Sequence, residues 1–236
     1  MSNAKTPMLS VLIPVRDGER YLAACLRSVL DENMSPIEIL VVDDGSTDRS
    51  AQIAESFGPP VRCIRRPRAG QAAARNAAVA AAAGDLHFHF DADDLLLPGA
   101  ITTLVGVLEG DPSVDLVTGR FETFLSPDAP LEVRERTKIP EGARRGHLSG
   151  VTVVRATAFA RVGPIDESMP TLSSLDWYTR AIDAGLAIRV APDVVMRRRI
   201  HGANTSLVHR NEPSPRMRLL KAVLDRRRAS GQEPKS

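Results

Sequence analysis

Ile37-Glu38-Ile39-Leu40-Val41-Val42-Asp43-Asp44-Gly45-Ser46-Thr47 is an apolar run, Ile37 to Val42, that stops in two carboxylates and a glycine turn. A segment so apolar reads as a strand buried on both faces, as in a parallel sheet covered by helices. The segments on either side repeat the theme. Upstream, Leu9 to Val15 is a compact apolar strand, and Tyr21 to Leu30 follows as a helix with Leu22, Leu26, Val29 and Leu30 at helical spacing. Downstream, Arg49 to Phe57 reads as a helix ended by Gly58-Pro59-Pro60, and Val61 to Ile64 as a short strand. Gln71 to Ala83 is an Ala-rich helix closed by Gly84, Leu86 to Phe90 a strand ending in Asp91-Ala92-Asp93-Asp94, and Pro98 opens a helix with Ile101, Leu104, Val105 and Leu108 on one face. Such alternation predicts an α/β fold, a mostly parallel sheet with helices on both faces.

Beyond Val114 the pattern loosens. Val114 to Thr118 reads as a strand, Ser126 to Arg145 as a mobile loop, and Val151 to Val154 as a strand before a short helix to Arg161. A helix over Asp176 to Ala184, a strand at Ile188 to Ala191 and an Arg-rich tail complete the chain. With 236 residues, 43% hydrophobic and 25% charged, the composition is that of one folded domain with a tail. Its 31 Lys and Arg against 29 Asp and Glu give no basic total that would argue for nucleic acid as a partner. Two cysteines, Cys25 and Cys63, make neither a disulfide framework nor a zinc spacing, and suit a cytoplasmic setting. No apolar run approaches the ~20 residues that span a bilayer. Met1-Ser2-Asn3-Ala4 lacks the charged and apolar regions of a signal peptide, and Ser2-Asn3-Ala4 reads as an expression scar.

Ligands of such sheets bind at the carboxyl ends of the strands, where both acidic clusters fall. Carboxylates spaced as in Asp91-Ala92-Asp93-Asp94 can share Mg²⁺ or Mn²⁺ with phosphate oxygens and so neutralise a diphosphate leaving group. Taken alone, each cluster also suits a turn and helix cap. The pieces also occur in a telling order: Val11-Leu12-Ile13-Pro14-Val15, Val41 to Asp48, Gly70 through Ala74-Arg75-Asn76-Ala77, Gly84-Asp85 before Asp91 to Asp94, and Val162-Gly163-Pro164-Ile165-Asp166-Glu167.

In that order they resemble the family 2 glycosyltransferases, over about Met8 to Ser206. The resemblance implies a single mixed sheet between helices, a nucleotide-diphospho-sugar transferase fold of the GT-A, Rossmann-like type. It divides the chain into a start (1–7), a transferase domain (8–206, with a nucleotide-sugar half 8–118 and an acceptor half 119–206) and a basic tail (207–236). It also implies roles for single residues. Asp44, with Asp43 beside it, would bind the nucleobase, while the main chain at Pro14 and Val15 and the side chain of Arg75 would hold the nucleotide. Asp91, Asp93 and Asp94 match the family's Asp-x-Asp signature for ribose and metal. Asp93 and Asp94 are the favoured pair, although the extra Asp leaves the register open. Asp176 would be the base that deprotonates the acceptor, with Leu175 standing where the family usually has an acid. His201 would reach the metal or the diphosphate. The implied donor is a nucleoside-diphosphate sugar, UDP first, and the acceptor a hydroxyl of a glycan, lipid or small molecule.

Other features have bland readings. His87 and His89 share one strand face and suit packing without metal, Trp177 suits the core or an acceptor wall, and His147 sits near the loop. The tail from Arg216, with Leu219, Leu220, Val223 and Leu224 on one side, suits packing on its own domain or a second copy, as in a homodimer. The other partner it suits is an anionic membrane, as at the inner membrane face. A dinucleotide-binding fold lacks its glycines at Val15-Arg16-Asp17-Gly18. A metal-dependent phosphatase is disfavoured by the late place of Asp91. An inactive nucleotide-sugar-binding or scaffold protein of the same fold is the main alternative.

Overall fold

Strand β1 (Leu9–Val15), paired with two parallel partners, β2 (Ile37–Asp44) and β4 (Leu86–His89), is buried at all seven positions because helices pack on both of its faces. The structure, a computed structural model, describes residues 8–145, 149–169, 171–204 and 215–229. The expected scar at Ser2-Asn3-Ala4, His147, and the expected domain end at Ser206 lie outside the described residues.

Nine strands form one sheet, in the order β3-β2-β1-β4-β8-β6-β9-β5, with β7 pairing onto β6. Here β3 is Val61–Arg66, β5 Leu95–Leu96, β6 Leu116–Leu125, β7 Arg144–Arg145, β8 Thr152–Arg155 and β9 Ile188–Ile200. Strands β1 to β4 are mutually parallel, β8 is antiparallel to β4 and β6, and β9 is parallel to β6. The sheet is therefore mixed, as expected, and parallel in its first half.

Side-chain alternation sends odd and even positions of each strand to opposite faces. Val11, Ile13, Ile39 and Val41 meet Leu22, Cys25, Leu26 and Val29 of α1 (Leu22–Leu30) and Ile101, Leu104 and Leu108 of α4 (Ala100–Gly110). Leu12, Leu40 and Val42 face Ala74 and Ala78 of α3 (Gln71–Ala81), whose small side chains let the helix lie close. Phe159 of α6 (Ala156–Val162) and Trp177, Tyr178 and Ala181 of α7 (Ser173–Asp183) build a further core against Leu116 and Val154. Helix α2 (Ser50–Ser56) covers the edge at β3. Gly84, ahead of β4, is required by a close approach: a Cβ there would lie 2.7 Å from the Met8 carbonyl oxygen and 2.8 Å from the Ser10 nitrogen.

Two expectations need correction. The stretch Ser126 to Arg145, expected as a loop, contains α5 (Leu131–Arg136) and β7, though α5 buries no residue. The strand expected at Ile188 to Ala191 runs on to Ile200, so Arg197, Arg198 and Arg199 belong to β9 and not to a tail. They pair with Glu122, Thr123 and Phe124 of β6, and Arg197 and Arg199 lie over the Phe124 ring, which lets so basic a segment stay in the sheet. The last described helix, α8 (Pro215–Ala229), is docked on α7 by ion pairs from Arg226 and Arg227 to Asp183. No helix among the described residues is long and apolar enough to cross a membrane.

Candidate active site

The carboxyl ends of β1, β2 and β4 open on one rim. There the chain encloses a cleft of about 860 Å³, lined in part by Pro14, Val15, Asp44, Asp91, Asp93 and His201. Six residues picked from the sequence thus meet in one place. Asp43, Arg75, Asp94 and Asp176 do not line it.

Asp44 and Asp43 point apart because they are neighbours on a strand. The Asp44 carboxylate accepts the Ala69 N–H at 2.9 Å and the Gly70 N–H at 2.7 Å, with Arg66 Nε at 3.7 Å, so it ties the loop before α3 to the rim. Gly45 next to it has φ +73°, and a Cβ there would lie 2.9 Å from the Arg68 nitrogen. Asp43, expected beside the nucleobase, instead closes its own turn by accepting the Ser46 N–H at 3.2 Å and the Ser46 hydroxyl.

After β4 the turn sorts its three aspartates. Asp91 accepts Arg75 Nη2 at 2.7 Å, and Arg75, nearly fully buried, also donates Nη1 to Ser174 Oγ at 2.7 Å. Arg75 therefore stands behind the rim and braces Asp91. Asp93 Oδ2 lies 2.9 Å from His201 Nε2 and 3.1 Å from Asn204 Nδ2. Asp94, expected as a metal ligand, faces inward: it is 4% exposed and accepts the Arg199 N–H at 2.8 Å. Burial, followed by the charges of Asp93 and Asp91, pushes its carboxyl well above the usual carboxylate range. Asp94 pins β9 to the turn, so Asp91 and Asp93 are the members of the signature that reach the cleft.

Asp176 is set differently from the expectation. Helix α7 begins at Ser173, three residues early, which puts Asp176 in its first turn at 1% exposure. Its Oδ2 accepts Arg180 Nε at 2.9 Å, one helical turn on, and its Oδ1 accepts Arg226 Nη1 of α8 at 2.7 Å. From α7 it is Ser174, a hydroxyl, that meets Arg75 behind the rim. Trp177 takes the core reading, stacked on Phe159 at 4.8 Å and donating Nε1 to the Gly163 carbonyl at 2.8 Å.

Several cleft residues escaped the reading of the sequence. Tyr21, read from the sequence only as a helix start, packs at a tilt against His201, ring centroids 4.6 Å apart, and donates its hydroxyl to Asp128 at 3.1 Å. Asp128 also pairs with Arg20, and thereby ties the segment after β6 to the lining of the cleft. Asn76 Nδ2 donates to the Ile165 carbonyl and to Glu167 Oε1, both at 2.8 Å, while its Oδ1 accepts the Ile165 N–H at 2.9 Å. The motifs containing Asn76 and Glu167 were visible, but no local spacing relates residues 91 positions apart.

Comparison with known proteins matches residues 10–166 to the family described as Glycosyl transferase family 2. An uncharacterized glycosyltransferase of Rickettsia felis is 25% identical over 222 residues, covering 86% of this chain and 36% of that protein. Chondroitin synthase of Escherichia coli is 26% identical over 212 residues, covering 86% of this chain and 30% of that protein. The chain thus spans about a third of the length of these relatives. The crystal structure of S. aureus TarS 1-349 in complex with UDP-GlcNAc superposes with a TM-score of 0.75 at 17% identity, over 92% of this chain and 65% of that one. That likeness is one of fold.

Proposed function

The chain belongs to the family 2 glycosyltransferases, and from that premise we propose that it moves a sugar from UDP to an acceptor hydroxyl, with inversion and with Mg²⁺ or Mn²⁺ bound. The observation that carries this reading is the meeting of Asp44, Asp91 and Asp93, from the ends of two parallel strands, with His201 in one cleft. A UDP donor is supported by the fold shared with TarS, a protein crystallised with UDP-GlcNAc and with UDP.

The donor set suits a hard divalent ion. Asp93 Oδ2 and His201 Nε2 stand side by side, and Asp91 lies two residues earlier on the same turn. Among the described residues no three His, Cys, Asp or Glu side chains converge as a cage, and an ion that completes its shell with phosphate oxygens and water needs none. When bound, such an ion would neutralise the charge that builds on the departing diphosphate. The chain's own groups do the rest. Asp44 holds the Ala69 to Gly70 loop at the nucleotide end, and its Oδ2, which takes one of those amides, keeps a second lone pair for a base N–H. Arg75 fixes the Asp91 carboxylate, and Asn204 with His201 fixes that of Asp93. Attack by the acceptor oxygen opposite the nucleotide inverts the anomeric carbon, and the acceptor's proton passes to a base.

A second reading, a nucleotide-sugar-binding protein without turnover, is favoured by one observation: Asp176, the carboxylate expected to serve as base, is buried off the cleft with both oxygens held by arginines. A thermal-shift panel of UDP, GDP and dTDP sugars, each with Mn²⁺ and with chelator, tests both parts. A ligand at about 100 times its Kd adds about 2.7 kcal/mol, which for a domain of this size means roughly 5–10 °C. The expected result is a metal-dependent shift with UDP-sugars, followed by UDP release on incubation. No shift with any nucleotide sinks the donor assignment, and a shift without UDP release favours the second reading.

A further inference from the structure

We propose that Glu167 is the general base, the group that takes the proton from the acceptor hydroxyl. The inference rests on the transferase reading above and assigns that reaction's missing proton acceptor.

Among the described residues, six carboxylates line the cleft. Asp17, Asp44, Asp91 and Asp128 are each paired with an arginine, and Asp93 with His201. Glu167 is the exception among the described residues: the neutral amide of Asn76 donates to its Oε1, which leaves Oε2 for a proton. The side chain is exposed to the cleft, as a group that must meet an incoming hydroxyl has to be. Asp176 has the opposite setting, buried, with both oxygens held by guanidinium groups.

Position supports the assignment as well. Consecutive residues of α3 hold the two sides of the reaction: Arg75 braces Asp91 of the donor rim, and Asn76 braces Glu167. Asn76 also pins the backbone of Ile165 through both of its amide groups, so the segment carrying Glu167 is fixed to the same helix as the rim. A base oriented by a neighbour that does not neutralise it is what proton abstraction requires. In the step, the acceptor O–H bond breaks and its proton goes to Glu167 Oε2. The oxygen's electron pair forms the new bond to the anomeric carbon, and the bond from that carbon to the diphosphate oxygen breaks, its pair leaving with UDP.

The test uses the full chain with the UDP-sugar that gives the largest thermal shift and measures release of UDP with water as acceptor. Glu167→Gln keeps the shape and the bond from Asn76 but cannot take a proton. It is expected to lose a factor of 10² or more in kcat, with UDP affinity and melting temperature unchanged, and to flatten the acid limb of the pH profile. Glu167→Ala is expected to recover part of the rate in added formate, which a merely structural role would not produce. Near-normal turnover in Glu167→Gln overturns the proposal. So does a loss of that size in Asp176→Asn with Glu167→Gln unaffected, because the proton then goes to Asp176. Tight UDP-sugar binding by the unaltered protein with no UDP release also overturns it. Absence of any UDP-sugar binding is the separate failure of the donor reading.

Discussion

Gly45 joins the acidic end of β2 to the nucleotide loop, and its conformation is one that side chains resist. An alanine there pays about 1–2 kcal/mol for its left-handed backbone, and its Cβ would press on the Arg68 backbone at 2.9 Å. Gly45→Ala is expected to lower the melting temperature by several degrees and to weaken UDP binding, since the displaced loop is the one Asp44 holds. Calorimetry with UDP and Mn²⁺ would check this, and unchanged affinity would refute the link between loop and nucleotide. The residues legible in the sequence were those whose type and place at a strand end sufficed, such as Asp44, Asp91 and Asp93. Direction was not legible. Asp43 and Asp94 look equivalent to their neighbours on paper, and only backbone alternation and the pairing of Asp94 with Arg199 turn them away from the cleft.

At the scale of elements, boundaries in the first half follow the apolar pattern: β1 matches residue for residue, and β2, β3 and α3 differ from expectation by two residues at one end. The second half was less legible because its elements are stabilised by partners distant in sequence. Strand β9 carries arginines that read as a solvated tail until β6 is placed beside them. Helix α8 was expected to gather its apolar residues on one side. Instead Leu219 packs inward while Met217, Leu220 and Leu224 stay exposed, and polar bonds do much of the docking. Arg226 donates to Asp176 and to Thr179, so its removal leaves a buried oxygen of Asp176 without its partner. Arg226→Ala is expected to cost about 2 kcal/mol, or roughly 4–8 °C in melting temperature. Unfolding monitored by circular dichroism would decide it, and an unchanged melting point would mean that α8 contributes nothing to α7.

For the molecule as a whole, acid should be destabilising above the ordinary carboxylate range. Burial lowers the pKa of His87, and that of His89 to about 3, below the ordinary value of 6.5. A histidine kept neutral in the fold but protonated in the unfolded chain contributes its full stability above pH 6.5 and loses it as pH falls toward 3. For His89 the cost is about 1 kcal/mol per pH unit in that window. The melting temperature is expected to fall between pH 6.5 and 5, and His89→Phe, which keeps an aromatic ring against Phe159, to make the slope shallower. Equal slopes in the two proteins would exclude His89 as a cause.

The strand order carries one more implication, for how this domain behaves among other chains. The borders of the sheet are β3, where Arg62 and Arg65 are exposed, and β5 and the side strand β7, each only two residues long. Charged or very short borders give a stray strand nothing to extend. A unit finished in this way can sit inside a longer polypeptide, as the matching third of its relatives does, without recruiting neighbouring segments into its own architecture.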